Sequence, residues 1–198
     1  MDWACLGVHK GAQAPLSYTK ILDFDEKSLR EALKNSGAKY VGKFLQRRVV
    51  FDARPDTTEK HELFRIRTNG TKTTLTWKFR DETKKGMDNT DETEVEVSDF
   101  DKTVEIISKL WSGIKPYHQE NRVEKWDYKG VEIAIIQWPL VPPFLELEGK
   151  SEEQIRNVIN ELGIKGEVIG NIGSWYVFDR YGQHGKDAGD LSFESKIT

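Results

Sequence analysis

Two periods organise the apolar residues of this chain. From 64 to 68 the order Phe-Arg-Ile-Arg-Thr alternates, and after Asn69-Gly70 the alternation resumes as Thr-Thr-Leu-Thr-Trp-Lys-Phe over 73–79. Successive side chains of a strand point to opposite faces, so Phe64 and Ile66 share one face while Arg65 and Arg67 share the other. Asn-Gly supplies the positive φ angles of a tight turn, and the two runs read as a β-hairpin. The same period of two runs through TEVEV at 93–97, VEIAI at 131–135 and FLELE at 144–148. A longer period marks three helices. Leu29, Ala32 and Leu33 follow Asp25 and stop at Gly37; Val104, Ile107 and Leu110 follow Asp101 and stop at Gly113. The third opens at Ser151 with Glu152 and Glu153 in its first turn and closes at Gly163, a hydroxyl cap and two acids suited to the helix dipole.

A short strand, LSYTK at 16–20, precedes the first helix. That helix leads into GAKYVGKFLQRR and the second into GIKPYHQENR, each continuing into strands. This weak echo predicts two similar halves of one mostly antiparallel sheet or barrel in an α+β domain. The polar run DETKKGMDNTD at 81–91 predicts a mobile loop, and the Gly-, Asp- and Ser-rich end from Gly182 a loosely attached tail.

Charge then sharpens the strand pattern. Lys78 and Arg80 lie opposite Trp77 and Phe79; Glu92, Glu94 and Glu96 lie opposite Thr93, Val95 and Val97; Glu146 and Glu148 lie opposite Leu145 and Leu147. An ordinary sheet with helices on its apolar face and water on the other would give this alternation. A sheet that curls so that its charged faces share one polar interior would give it too. Segregation of Arg/Lys and Glu onto different strands favours the curl. Basic strands facing acidic ones suit a phosphoanhydride and a divalent metal: guanidinium forks match phosphate oxygens, and carboxylates offer hard oxygen ligands.

Composition narrows the classes. At 198 residues the chain suits one domain, and a formal net charge of -3 with pI near 5.9 argues against non-specific nucleic-acid or anionic-membrane binding. One cysteine, Cys5, excludes an internal disulfide and fits a reducing cytoplasm. Residues 1–15 lack the features of a signal peptide and no window is apolar enough to span a membrane, so a cytoplasmic location is expected. His9, His61, His118 and His184 share no spacing, and no Cys/His cluster, P-loop or G-x-S-x-G is present. Trp77 reads as core from its apolar face; Trp126 and Trp138 stay open.

The stretches LFRIRTNGTKTTLTWKFRD, DETEVEVSDFDKT, YHQENRVEKW and VEIAIIQWPLVPPFLELEGKSEE, with YVFDRYG near the end, carry a resemblance. Over roughly 16–182 the chain resembles the CYTH superfamily of class IV adenylyl cyclases, thiamine triphosphatases and related triphosphate hydrolases. Residues 1–15 then form an N-terminal extension and 183–198 a flexible tail. The resemblance implies an eight-stranded, antiparallel closed sheet, a triphosphate tunnel, with helices packed outside. It implies that Lys20, Arg65, Arg67, Lys78 and Arg122 grip phosphates, beside Arg80 on the same face as Lys78. Lys150 matches a basic position after the acidic pair, and Arg180 adds a cation near the tunnel mouth. Glu94, Glu96, Glu146 and Glu148 become tunnel acids and candidate ligands of Mg²⁺ or Mn²⁺. A small triphosphate is the implied partner, and a homodimer the implied assembly.

Two departures fall on the metal side. Leu16 and Tyr18 stand where the family's first strand carries glutamates in E-x-E-x-K, and Ile136 stands where an aspartate precedes Trp-Pro. The resemblance therefore implies three functions in order: a metal-dependent hydrolase of tripolyphosphate or a nucleoside or organic triphosphate, a class IV-type cyclase making cyclic AMP from ATP, or a non-catalytic nucleotide or polyphosphate binder with a degraded metal site. No residue is assigned as catalytic.

Overall fold

The computed structural model describes residues 17–52, 60–81, 90–185 and 189–194. The strands are β1 (Ser17–Leu22), β2 (Lys39–Asp52), β3 (Lys60–Thr68), β4 (Thr73–Asp81), β5 (Thr90–Val97), β6 (Pro116–Tyr128), β7 (Val131–Gln137), β8 (Phe144–Gly149) and β9 (Glu167–Gly170). The helices are α1 (Glu26–Asn35), α2 (Phe100–Leu110), α3 (Glu152–Glu161) and α4 (Ser174–Arg180). The first three each have a side-chain cap; α1 and α3 begin where the sequence pattern puts them, and α2 begins one residue ahead of the expected Asp101. Asp25 accepts from the Ser28 amide at 3.0 Å, Asp99 from Lys102 at 2.9 Å and Ser151 from Gln154 at 3.2 Å. The extension 1–15, Leu16 and most of the loop expected at 81–91 lie outside the described residues.

All strands pair antiparallel in one sheet of order β5-β4-β3-β2-β6-β7-β8-β1-β9. The antiparallel α+β architecture is the expected one; among the described residues the sheet has nine strands where eight were expected, and its outermost strands β5 and β9 are not hydrogen-bonded to each other. The sheet nevertheless curls. Tyr18 on β1 feels the charge of Glu92 on β5, seven strand positions away, a span of about 34 Å in a flat sheet. Charges interact measurably only over much shorter distances at physiological salt, so the ends of the sheet approach each other.

Alternation on the strands sorts the core into layers. Ile21, Trp126, Ile133, Ile135, Leu145 and Leu147 form the convex layer with Leu29 and Leu33 of α1 and Ile155 and Val158 of α3. Val49, Phe51 and Ile66 pack under Val104, Ile107 and Trp111, and α2 has no fully buried residue of its own. The neighbours of the convex set, Leu22, Val123, Ala134, Ile136 and Phe144, face the opposite way and join Val177 and Phe178 of α4 and Leu191. Helix α4 therefore packs inside the curl, not outside it as expected of all helices.

The segment 189–194 is also held more firmly than its composition suggests. Over 189–194 it lies beside β6: the Leu191 amide donates to the His118 carbonyl at 2.9 Å, the Glu120 amide to the Leu191 carbonyl at 2.9 Å, and Gln119 Nε2 to the Gly189 carbonyl at 2.9 Å. Leu191 reaches a buried apolar cluster, and burial there offsets the entropy of fixing the segment. Trp126 and Trp138 are both buried. Trp77 is half-buried on its expected face, where its indole donates to Glu62 at 2.8 Å. Among the described residues no helix is long and apolar enough to cross a membrane.

Candidate functional site

The cations of the concave face come from both walls of the curl. Register sets Arg48 of β2 beside Arg67 of β3, and Val50 beside Arg65, so three guanidiniums share one patch. Arg65 lies 3.8 Å from Glu92, 3.9 Å from Glu94 and 3.4 Å from the Thr76 hydroxyl. Arg67 lies 3.8 Å from Glu94, and Lys78 lies 3.2 Å from Glu92. From the other wall, Lys20 of β1 pairs in register with Glu146 of β8, 3.3 Å away.

Arg48 is the exception to this pairing. Its Nη2 donates to Asn121 at 2.8 Å and its guanidinium lies 4.4 Å from the Trp138 ring centroid, yet no carboxylate is within ion-pair distance among the described residues. Burial, then repulsion from Arg65 and Arg67, pushes its pKa down to about 9, against a weaker pull from Glu146. Burial and Arg67 lower Arg65 as well, although Glu92, Glu94 and Glu146 oppose them. The Nε atoms of Arg48 and Arg65 are buried without a hydrogen-bond partner. Buried donors are rarely left so, and a cluster of cations with unspent N–H groups is a site preorganised for an anion with several oxygens.

The acids are largely engaged. Glu94 accepts from the Thr76 hydroxyl at 2.8 Å, Glu96 sits on the exposed rim 3.4 Å from Lys72, and Glu146 faces Lys20. Glu148 stands opposite Tyr18 in register; burial, joined by repulsion from Glu132 and Glu146, holds its carboxyl above the usual range against the lowering effect of the Tyr18 phenol. Burial and the same carboxylates push Tyr18 up to about 12. Glu132 in turn holds Lys125 at 2.5 Å. Among the described residues no three acidic, His or Cys side chains are arranged to hold a metal ion. The donor set therefore does not make a Mg²⁺ or Mn²⁺ site on its own: its carboxylates already face cations or a phenol, and Ile136, at the expected aspartate, belongs to the apolar cluster under α4.

Four predicted cations stand elsewhere or only on the edge of this group. Arg122 shares a strand face with Glu124 and Trp126, which is the convex side; its guanidinium lies 4.0 Å from the Phe193 ring centroid and lines a cleft of about 210 Å³ with Arg30 and Lys43. The expected phosphate contact does not follow, because strand alternation aims Arg122 away from Arg48 and Arg65. Lys150 is exposed in the turn between β8 and α3. Arg180, at the end of α4, lies 3.7 Å from Asp23 and 3.5 Å from Glu167. Arg80 stands on β4 opposite Thr90 and His61, two positions beyond Lys78.

Arg48 is the member of this candidate site that the sequence pattern did not single out. Its signal was the pair Arg47-Arg48, since two adjacent strand residues must face opposite ways. Arg47 takes the convex face, 3.3 Å from Asp101 and 4.8 Å from the Phe100 ring centroid, and leaves Arg48 inside.

The CYTH domain family matches residues 19–168, three-quarters of the chain. The chain belongs to the CYTH family. Solved structures share its fold. A conserved hypothetical protein from Pyrococcus furiosus is 23% identical over 76% of this chain and 92% of its own, with a TM-score of 0.58. A Hippeastrum protein described as a putative adenylyl cyclase with a dominant triphosphatase activity is 13% identical over 83% and 94%, with a TM-score of 0.53. A putative adenylate cyclase from Vibrio parahaemolyticus is 11% identical over 91% and 94%, with a TM-score of 0.52. At these identities the likeness concerns the fold. No curated protein matches the chain. In this CYTH domain, then, the family's sheet is present, while the first-strand position 18 carries a phenol and position 136 an apolar side chain.

Proposed function

We propose that this CYTH domain binds the triphosphate end of a small molecule on its concave face, with Arg48, Arg65, Arg67 and Lys20 holding the phosphate oxygens. The observation that carries the reading is Arg48: a guanidinium without a carboxylate, repelled by two more and bearing a buried unspent N–H. A polyanion relieves all three costs at once. Inorganic tripolyphosphate, ATP and thiamine triphosphate share the required chemistry. Lys78 stands in the next row of the same face, available to a terminal oxygen.

Cleavage of the phosphoanhydride is the second reading, and Glu148 favours it. A carboxyl held above its ordinary range near the cations can take or give a proton closer to neutral pH than a free glutamate. A divalent ion would enter with the phosphates, because the acids among the described residues do not assemble a site for it. No observation among the described residues gives cyclisation of ATP comparable support.

The test combines calorimetry with product analysis. Tripolyphosphate, ATP and thiamine triphosphate are titrated into the protein, then incubated with it and separated by ion chromatography, with Arg67→Ala in parallel. Binding lost in the variant supports the site. Phosphate release lost in the variant supports hydrolysis, and cyclic AMP supports the cyclase. No binding of any of the three refutes the reading.

A further inference from the structure

We propose that the convex side of the sheet carries a second anion site, the cleft between α1 and strands β2, β6 and β7, and that it takes a small carboxylate with an apolar body. Strand alternation puts Arg122 and Asn121 on opposite faces, so this cleft and the Arg48 patch are separate. The convex site stands whether or not the concave face holds a triphosphate.

Its cations are deprived of the carboxylates nearest to them. Lys43 faces Glu124 directly across β2 and β6, yet that carboxylate is engaged elsewhere. Arg30 forks it at 3.1 and 3.2 Å, and the Trp126 indole donates to it at 3.0 Å. Arg122 has Glu120 and Glu124 two positions to either side on its own strand face. Glu120 accepts from the Ser192 hydroxyl at 2.9 Å and the Phe193 amide at 2.6 Å. Glu26, the other acid of the cleft, lies 2.9 Å from Arg30. Among the described residues neither Lys43 nor Arg122 has a carboxylate within ion-pair distance.

Arg122 is also held in a pose that suits a ligand. Its guanidinium sits over the Phe193 ring, 4.0 Å from the centroid. Stacking of this kind fixes the plane and leaves the N–H fork for an in-plane acceptor, the geometry of a carboxylate. Lys43 is its diagonal neighbour, about 7 Å away across β2 and β6, so both side chains can reach one anion. Gln137, opposite Arg122 on β7, adds an amide to the same cleft.

Size and charge balance narrow the ligand. The cleft holds about 210 Å³. That is room for about seven waters, and less than the roughly 300 Å³ at which pockets for larger organic ligands begin. Arg30, Lys43 and Arg122 against Glu26 and Glu124 leave one net positive charge, which a single carboxylate neutralises. Ile135 and Pro143 supply an apolar wall for its carbon body.

The test titrates nitrogen-15-labelled protein with butyrate, with inorganic phosphate and with chloride at constant ionic strength, and follows the amides of 121–124 and 135–137. Butyrate should give saturating shifts there with a Kd of about 1–10 mM. Lys43→Gln and Arg122→Gln should each weaken it about three- to tenfold, as for one charge-assisted contact at a partly exposed site. Unmoved amides elsewhere in the same spectra show that each variant is folded. Arg67→Ala should leave butyrate binding as it is. Shifts no larger than chloride gives overturn the site, and so does an unchanged Kd in both glutamine variants. Phosphate binding as tight as butyrate or tighter overturns the carboxylate assignment, because its second charge exceeds the balance and it has no apolar body. Loss of butyrate binding in Arg67→Ala overturns the separation of the two sites.

Discussion

Replacing Arg48 with methionine separates a role in holding the fold from a role in holding an anion. The side chain keeps much of its length and loses its charge. The fall of its pKa from 12.5 to about 9 bounds the penalty on that charge in the free protein at about 5 kcal/mol. Much of this is recovered: the Asn121 hydrogen bond and the Trp138 face return about 1 kcal/mol each, and solvent at the partly exposed edge screens more. What remains is about 1 kcal/mol of destabilisation in the free protein, within the range gained when buried ions give way to apolar residues. Arg48→Met should therefore raise the melting temperature of the free protein by about 2–4 °C for a domain of this size. The same change should weaken tripolyphosphate binding by about 2–4 kcal/mol, or roughly 30- to 1,000-fold, the range for removing one partner of a desolvated charged contact. Thermal melts with and without tripolyphosphate, beside calorimetry, read both numbers. A variant that melts several degrees lower while its affinity stays within about threefold of wild type would refute the reasoning and make Arg48 a structural residue.

Three further outcomes follow from other groups. Glu124 is buried on the convex face, forked by Arg30 at 3.1 and 3.2 Å and bonded to Trp126 at 3.0 Å; burial alone would raise its pKa, but these donors hold it below the ordinary 4.5. Its folded pKa is the lower one, so its contribution is present above pH 4.5 and lost as acid takes the pH through the folded value; Glu124→Gln should remove about 2–3 kcal/mol at neutral pH, seen as an earlier urea midpoint, and flatten stability against pH below 4.5. Tyr18→Phe deletes the hydrogen bond that lowers Glu148, so the Glu148 carboxyl should titrate higher still in a carbon NMR titration; an unchanged or lower value would show that the phenol does not donate to it. Mg²⁺ titrated alone should show no binding tighter than about millimolar, and tripolyphosphate affinity in EDTA should stay within about tenfold of that in Mg²⁺, whereas strict dependence on the ion would mean that the acids assemble a site after all.

The two periods in the sequence were enough for most of the fold because local rules and tertiary packing agree there. Asp25 and Ser151 cap the helices they precede, and Arg65 and Arg67 face away from Ile66 as alternation requires. Arg122 shows where the pattern stops informing. Its strand could be read in either phase, and only pairing with β7, which buries Val123 inside and Trp126 outside, fixes the side. Arg48 was hidden for the same reason. Helix α4 and the segment at 189–194 depend on long-range packing into the curl, and a short helix beside a Gly-rich tail carries little local signal for that. The placement of Tyr18 opposite Glu148 required the β1–β8 register, which neighbouring residues in sequence do not reveal.

The two walls of the curl are unequally supported, and this gives the molecule a weak side. Strands β6, β7, β8 and β1 are packed on both faces, by α1 and α3 outside and α4 inside. Strands β3, β4 and β5 lean on Val49, Phe51, Ile66 and a helix with no fully buried residue, and β5 ends the sheet. Segments with a thin core open before the rest of a protein, and amide hydrogens there exchange through that local opening. Arg65, Arg67 and Lys78 ride on the weaker wall, while Lys20 and Glu146 stay on the firm one. For the proposed anion site, capture and local folding would be one equilibrium: an anion spanning both walls would slow exchange on β3–β5, and its affinity would be scaled by the fraction of molecules already closed.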